Sequence, residues 1–316
     1  MATPWPRPRV VVSACLGFEA VRYDGSLIPD EFVAALRAHV DFVPICPEFA
    51  LGLGSPRPPV RLVESEGEVR LVQPGTGRDL TEAMAEFAGR FATSVGDIDG
   101  FILKNRSPTC GVKDARVYAP NEGGPRRRQP GLFAAAMAKA FPDLPMEDEG
   151  RLTNRELRAN FLTRVFASAR LRDVRTFGEL VDLHTRYKFV LLAHNPRRAR
   201  ELGRGLAGAR SLPWHDALAE YRRMFMATLQ HPPTLGRFAD VAAHLYGFVA
   251  DHLSAEERAH FRAALAAYRR RALPAEAILT LLRSWAVRFR VEYLSAQTLF
   301  EPYPPELESL STSARG

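Results

Sequence analysis

The chain has 316 residues, enough for two domains with sizeable cores, and its composition of 46% hydrophobic and 25% charged residues is that of a globular protein. No apolar run reaches the roughly 20 residues of a membrane span, and MATPWPRPR at the start lacks the apolar core of a secretory signal, so a cytoplasmic protein that makes no use of a membrane is expected. The net charge of +7 is unevenly held: residues 1–147 carry 17 Lys+Arg against 18 Asp+Glu (−1), and residues 148–316 carry 26 against 18 (+8).

Read from the start, short strand-like runs alternate with helical patterns. VVVS at 10–13 reads as a strand, followed at once by Cys15. The segment 29–40 (PDEFVAALRAHV) has helical spacing with Asp30 and Glu31 in its first turn. Residues 40–45 form a second strand that ends at Cys46. Loops rich in Pro and Gly follow (GLGSPRPP at 52–59, QPGTG at 73–77), and 60–73 reads as an excursion, a short hairpin. A second amphipathic helix covers 79–92, with Asp79 or Thr81 as its cap. The strand 101–104 precedes Cys110, and a third helix covers 129–141 beyond the loop 121–130. Strands alternating with helices indicate a βαβ pattern and a largely parallel, Rossmann-like sheet.

After about Glu147 the character changes. The acidic stretch MEDEG at 146–150 introduces helix-period patterns near 152–169, 177–193, 196–207, 213–229, 235–253, 255–271 and 275–294, with no strand among them. Pro196, Pro213, Pro232–Pro233 and Pro274 fall at helix starts and connections. The expected organisation is an α/β domain over 1–147 and an all-α domain over 148–316. Excess positive charge on the second attracts polyanions, RNA first among them. A basic, solvated helical surface is the alternative.

Each cysteine closes or follows an apolar strand. In a parallel sheet the loops at the strand carboxyl ends gather at one rim, where such folds place ligands. An odd number of thiols argues against a disulfide framework. Residues 15, 46 and 110 show no C-x-x-C or H-x-x-x-H pairing, which a structural zinc site normally has. Three readings stand: a shared soft metal centre, inert buried thiols, or one nucleophilic cysteine. Glu48, two residues beyond Cys46, and Ser107, three before Cys110, stand near enough to position or activate water; a loop cap and a turn hydrogen bond are their structural alternatives.

The segments SACLG-x4-VRYDG, CPE-x3-GLGSPRPPV and KNRSPTCGV resemble the signatures of the thiouracil desulfidase family, over about residues 8–147. The resemblance implies a [4Fe–4S] cluster on Cys15, Cys46 and Cys110 whose fourth iron takes the sulfur of a thiocarbonyl base, with Glu48 as acid/base and Ser107 assisting. Ser13, Tyr23, Asp24, Arg57 and Lys104 become candidates for the substrate pocket. LHTRYKFVLLAHNP at 183–196 and LSAQTLFEPYPPEL at 294–307 resemble the helical YbgA-like domain. Desulfidases carrying that domain look like the branch acting on 4-thiouridine in tRNA. His184, Tyr187, Lys188 and His194 are then candidate RNA contacts. The expected reaction is a non-redox replacement of sulfur by oxygen on a thiolated uracil, most directly in tRNA. Desulfuration of free 2-thiouracil or another small thioamide, a non-catalytic iron–sulfur RNA-binding sensor and a zinc-dependent hydrolase are the competing readings.

Overall fold

The structure is a computed structural model, and it describes residues 5–65, 67–119 and 124–308. The chain divides into two compact units: the first runs to Ala169 and resumes at Pro304, and the second is Arg170–Tyr303.

In the first unit the elements are β1 (Arg9–Ser13), α1 (Glu31–Leu36), β2 (Asp41–Ile45), α2 (Pro47–Ala50), β3 (Arg61–Ser65), β4 (Glu68–Gln73), β5 (Arg78–Asp79), α3 (Thr81–Ser94), β6 (Gly100–Leu103), β7 (Ala115–Tyr118), β8 (Arg127–Gln129), α4 (Leu132–Ala140), β9 (Met146–Asp148) and α5 (Arg155–Arg172), which continues into the second unit. One sheet has the order β2-β1-β6-β9, and every pairing in it is parallel. Its central strands carry unbroken apolar runs: Val10, Val11, Val12, Phe101, Ile102 and Leu103 are all buried. That continuity reflects a sheet covered on both faces. At one edge, β2 exposes Asp41 and tolerates Pro44, whose missing N–H costs a ladder bond only on an inner strand.

The acidic stretch around residue 147 differs from its expected role as a helical lead-in. Met146–Asp148 instead forms the fourth parallel strand, held by register pairs from Phe101–Met146 to Leu103–Asp148. A three-residue edge strand takes its stability from the neighbouring backbone, so its polar composition hides it. The second sheet, β5-β4-β3-β7-β8, contains the expected hairpin, β3 against β4, extended by strands that periodicity did not announce.

The second unit is helical, with no strand among its described residues. It holds α6 (Phe177–His194), α7 (Pro196–Gly208), α8 (Trp214–Thr228), α9 (Leu235–Gly247), α10 (Ala255–Arg269), α11 (Ala275–Arg288) and α12 (Glu292–Ser295). Two capping boxes start helices: Thr176 with Glu179 opens α6, and Ser254 with Glu257 opens α10. Asn195 caps α7 ahead of Pro196. The helix expected over 275–294 stops at Arg288, because Arg290 takes a left-handed backbone (φ 54°) and Val291 N–H returns to the carbonyl of Ala286. Phe189, Phe261, Ile278, Leu282 and Trp285 anchor the core. No helix among the described residues is long and apolar enough to cross a membrane.

The start of α4 holds the loop that carries Cys110. Gly131 N–H donates to Gly111 O (2.8 Å), Leu132 N–H to Pro108 O (3.1 Å) and Ala134 N–H to Thr109 O (3.0 Å). A Cβ on Gly131 would lie 2.5 Å from the carbonyl carbon and oxygen of Thr109. Gly131→Ala must therefore displace backbone, and the expected loss is about 1–3 kcal/mol of unfolding free energy, read as a lower urea midpoint. An unchanged midpoint would mean that this loop yields freely.

Candidate active site

Three loops at the carboxyl ends of β1, β2 and β6 build the site. Cys15 follows β1 in a turn fixed by Ala14 N–H to Ile45 O (2.9 Å) and Leu16 N–H to Ser13 O (2.8 Å). Cys46 directly follows β2 and stands at the N-terminal cap position of the four-residue α2, its side chain making no capping bond. Cys110 ends the loop after β6, in which Arg106 takes a left-handed backbone (φ 56°) and Gly111 N–H returns to Ser107 O (2.9 Å). The three thiols are uncrosslinked and line one cavity of about 360 Å³ with Glu48, Ser107 and Arg57. Ser13, Tyr23 and Lys104 line it as well. Asp24 does not: its carboxylate accepts from Ser26 N–H (3.0 Å) and Oγ (2.6 Å), and these bonds hold its pKa below the usual range.

Burial dominates the electrostatics of the thiols. It raises the pKa of Cys15 to about 11, with a further push from Cys46, and that of Cys110 to about 12, eased by a hydrogen bond with Ser13. Cys46 is raised too, by burial first. Soft, clustered sulfurs in a desolvated cavity form a donor set for a soft metal centre. Among the described residues no three His, Cys, Asp or Glu groups close on a point that one ion would occupy.

Beside the thiols lies a chain of polar groups. Arg57 is buried and donates through Nε (2.9 Å) and Nη2 (2.6 Å) to Oε2 of Glu48, which is only 7% exposed. Its Nη1 donates to the carbonyls of Val21 and Gly54, both at 2.8 Å, and its Nη2 lies 3.9 Å from Cys46 Sγ. The other oxygen of Glu48 accepts from Thr109 Oγ1 (3.0 Å), which is 3.0 Å from Ser107 Oγ. Ser107 Oγ also accepts from the N–H groups of Thr109 (3.3 Å) and Cys110 (3.1 Å). A threonine hydroxyl has one proton. With Thr109 donating to Glu48, Ser107 donates to Thr109, and a continuous path runs Ser107–Thr109–Glu48.

Sequence reasoning missed Thr109, whose only signal is a hydroxyl immediately before Cys110 in SPTC. It also missed Glu149, which pairs with Lys104 and accepts from Asn105 N–H (2.8 Å), closing the loop after β6 onto the segment after β9.

The four candidate RNA contacts on and near α6 divide. Lys188 is exposed, with its ammonium over the rings of Phe189 and Tyr293. His184 is half-buried, 3.0 Å from Tyr221 Oη through Nδ1, and burial lowers its pKa. Tyr187 and His194 require correction. Tyr187 is 1% exposed and accepts a hydrogen bond from Arg170 (2.6 Å), and His194 is 5% exposed with Nδ1 on the Val190 carbonyl (2.8 Å). Both serve the interior, on the C-terminal half of α6, where Phe189, Val190, Leu191 and Ala193 are buried as well.

Removing one partner of a buried ion pair leaves an uncompensated charge. Arg57→Met is expected to lower the unfolding free energy by about 3–5 kcal/mol in urea denaturation. A loss under about 1 kcal/mol, the range of exposed pairs, would mean that water solvates Glu48.

Two segments of the chain match known families. A family profile described as 2-thiouracil desulfurase matches residues 10–149, and one described as a protein of unknown function, DUF1722, matches residues 188–304. The chain is 31% identical over 150 residues to the protein YbgA of Escherichia coli K12, covering 45% of this chain and 88% of that one. It is 30% identical over 147 residues to YbbK of Bacillus subtilis 168, covering 44% and 96%. Among solved structures, the [4Fe-4S]-dependent thiouracil desulfidase TudS is 32% identical, with a TM-score of 0.35, over 46% of this chain and 93% of that one. The chain belongs to the 2-thiouracil desulfurase family through its first half and to the YbgA-like DUF1722 family through its second.

Proposed function

We propose that this chain replaces the sulfur of a thiolated uracil by oxygen, with 4-thiouridine in tRNA as its substrate and a [4Fe–4S] cluster on Cys15, Cys46 and Cys110 as its cofactor. The observation that carries the proposal is the meeting, in one cavity, of three uncrosslinked thiols and the Ser107–Thr109–Glu48–Arg57 chain. When bound, a cluster with three protein ligands supplies an open iron, a Lewis acid with affinity for the thiocarbonyl sulfur.

The protein's own groups then govern water and protons. Glu48 takes a proton from water as it attacks the thiocarbonyl carbon. Arg57 holds the carboxylate in one orientation and offsets its charge in a desolvated site. Ser107 and Thr109 form a path by which a proton reaches or leaves Glu48 without bulk solvent. In sum, a C=S group and water become a C=O group and hydrogen sulfide. The cavity suits a base rather than a folded RNA, so the nucleotide must be exposed or drawn from its stack. The helical half, with its excess of eight positive charges, anchors the RNA, with exposed Lys188 among its contacts and His184 beside it.

The first test is anaerobic purification, iron and sulfide analysis, and incubation with tRNA containing 4-thiouridine while its near-ultraviolet band is followed. A cluster and loss of the band are expected. An intact band with turnover of free 2-thiouracil would move the substrate to the small base; no turnover with bound iron would favour a sensor, and no iron would overturn the cluster.

General acid–base contributions of about 10²–10⁴ set the scale for variants. Glu48→Gln should lower kcat by at least about a hundredfold while iron content stays as in the parent. Thr109→Val, which interrupts the path without altering volume, should lower kcat by about tenfold or more and leave KM little changed. An undiminished kcat for Thr109→Val would remove it from the proton path.

A further inference from the structure

The outer face of the second sheet carries a row of arginines next to the thiol cavity. The parallel pairing of β3 with β7 sets Leu62 opposite Val117 and Val63 opposite Tyr118. Leu62 and Val117 are buried. By strand alternation the residue before each, Arg61 and Arg116, stand side by side on the opposite face. The antiparallel pairing of β7 with β8 places Arg116 directly across from Arg128. All three are exposed, abreast on consecutive strands about 4.8 Å apart.

Like charges opposite one another destabilise a sheet, and acids usually separate them. Nearby positions follow that practice: Arg127 pairs with Glu64 at 3.0 Å, and Arg70 with Asp79 at 2.9 Å. Among the described residues no ion pair serves Arg61, Arg106, Arg116 or Arg128. The fold thus keeps a repulsive row that an external anion would relieve.

The row is continuous with the site. Arg61, Arg106 and Arg116 line a recess of about 460 Å³ with Tyr23 and Tyr118 and no acidic residue. Arg106 and Arg128 line a second recess of about 460 Å³ with Lys113 and Arg151, where Asp114 and Asp148 temper the charge. Arg106 and Tyr23 also line the thiol cavity. Tyr23 is 46% exposed, and the Arg61 guanidinium lies 5.2 Å from the centre of the Tyr118 ring.

We propose that the Arg61–Arg116–Arg128 row, with Arg106 at the cavity mouth, is a track for the sugar–phosphate backbone of a single-stranded RNA segment whose thiolated base enters the cavity. The inference rests on the desulfidase reading and deepens it: the catalytic half itself grips the strand, although its net charge is −1. Guanidinium forks match phosphate oxygens, and phosphate contacts position a strand without reading its sequence. One phosphate occupies one or two guanidiniums. A row that crosses three strands, with Arg106 in a recess beside each of its ends, fits several, and the rings of Tyr23 and Tyr118 are stacking platforms for the flanking bases.

The test is fluorescence anisotropy of a sulfur-free, labelled single-stranded RNA with the full chain over a salt series. The variants are Arg61→Gln/Arg116→Gln/Arg128→Gln, the corresponding triple Lys variant and Arg116→Gln alone, with unfolding temperatures confirming the fold. Each single-strand phosphate contact contributes about 0.7 to the slope of log affinity against log salt. The triple Gln variant should bind at least about tenfold more weakly, with a slope smaller by about two; Arg116→Gln should lower the slope by about 0.7, and triple Lys should retain most of it. An unchanged slope in the Gln variants overturns the track and leaves RNA binding to the helical half. An equal loss of affinity for uridine monophosphate and for the oligomer overturns it too, in favour of a single-phosphate pocket. Since the RNA carries no sulfur, the outcome does not depend on turnover; intact binding without desulfuration of 4-thiouridine would overturn the desulfidase reading and leave the track standing.

Discussion

The buried pair of Arg57 and Glu48 is the constraint on which the site depends. One guanidinium ties Glu48 at the start of α2 to the carbonyls of Val21 and Gly54, so three separate loop segments share a single anchor. Ser55 adds a hydroxyl to the carbonyls of Ala20 and Arg22, and Arg57 N–H donates to Tyr23 O (2.8 Å). Burying such a pair carries a desolvation cost of several kcal/mol per ion. That cost is offset where the remaining donors find partners, and Arg57 finds them on backbone oxygens. The arrangement yields position more than stability: a carboxylate held still at the cavity wall, with one oxygen committed to arginine and the other turned toward Thr109.

The opposite wall is organised by backbone rather than charge. Amides at the start of α4 take the carbonyls of Pro108, Thr109 and Gly111, so the loop bearing Ser107, Thr109 and Cys110 is fastened by a helix whose other face enters the core through Phe133 and Met137. Ser107, Thr109 and Cys110 therefore rest on the apolar core of the unit, which fixes the distances between them.

The parallel sheet was legible because Val10–Val12 and Phe101–Leu103 are apolar at every position, and the helices of the second unit because their caps and prolines punctuate a clear period. The cavity was legible from the three cysteines, two directly beyond strand ends and the third at the end of the loop after β6. What escaped has a common cause. The strands β7, β8 and β9 are short; β7 and β9 pair with β3 and β6 far away in sequence, β8 is a polar edge strand on β7, and no local pattern announces such pairing. Thr109 looks like a loop residue until Glu48, 61 positions away, is placed against it. Tyr187 and His194 misled for the converse reason: a polar residue on a helix reads as surface unless the number of helices packed around it is known.

The three cysteines sit on three different crossovers of the sheet, at positions 15, 46 and 110. None of them has a cysteine neighbour close in sequence, and the pairing of β1 with β2 and β6 is what brings their loops to one cavity. In this respect the site is the opposite of a zinc finger, whose ligands stand in close pairs. The sheet therefore does what the order of the chain does not: it turns three separate thiols into one donor set.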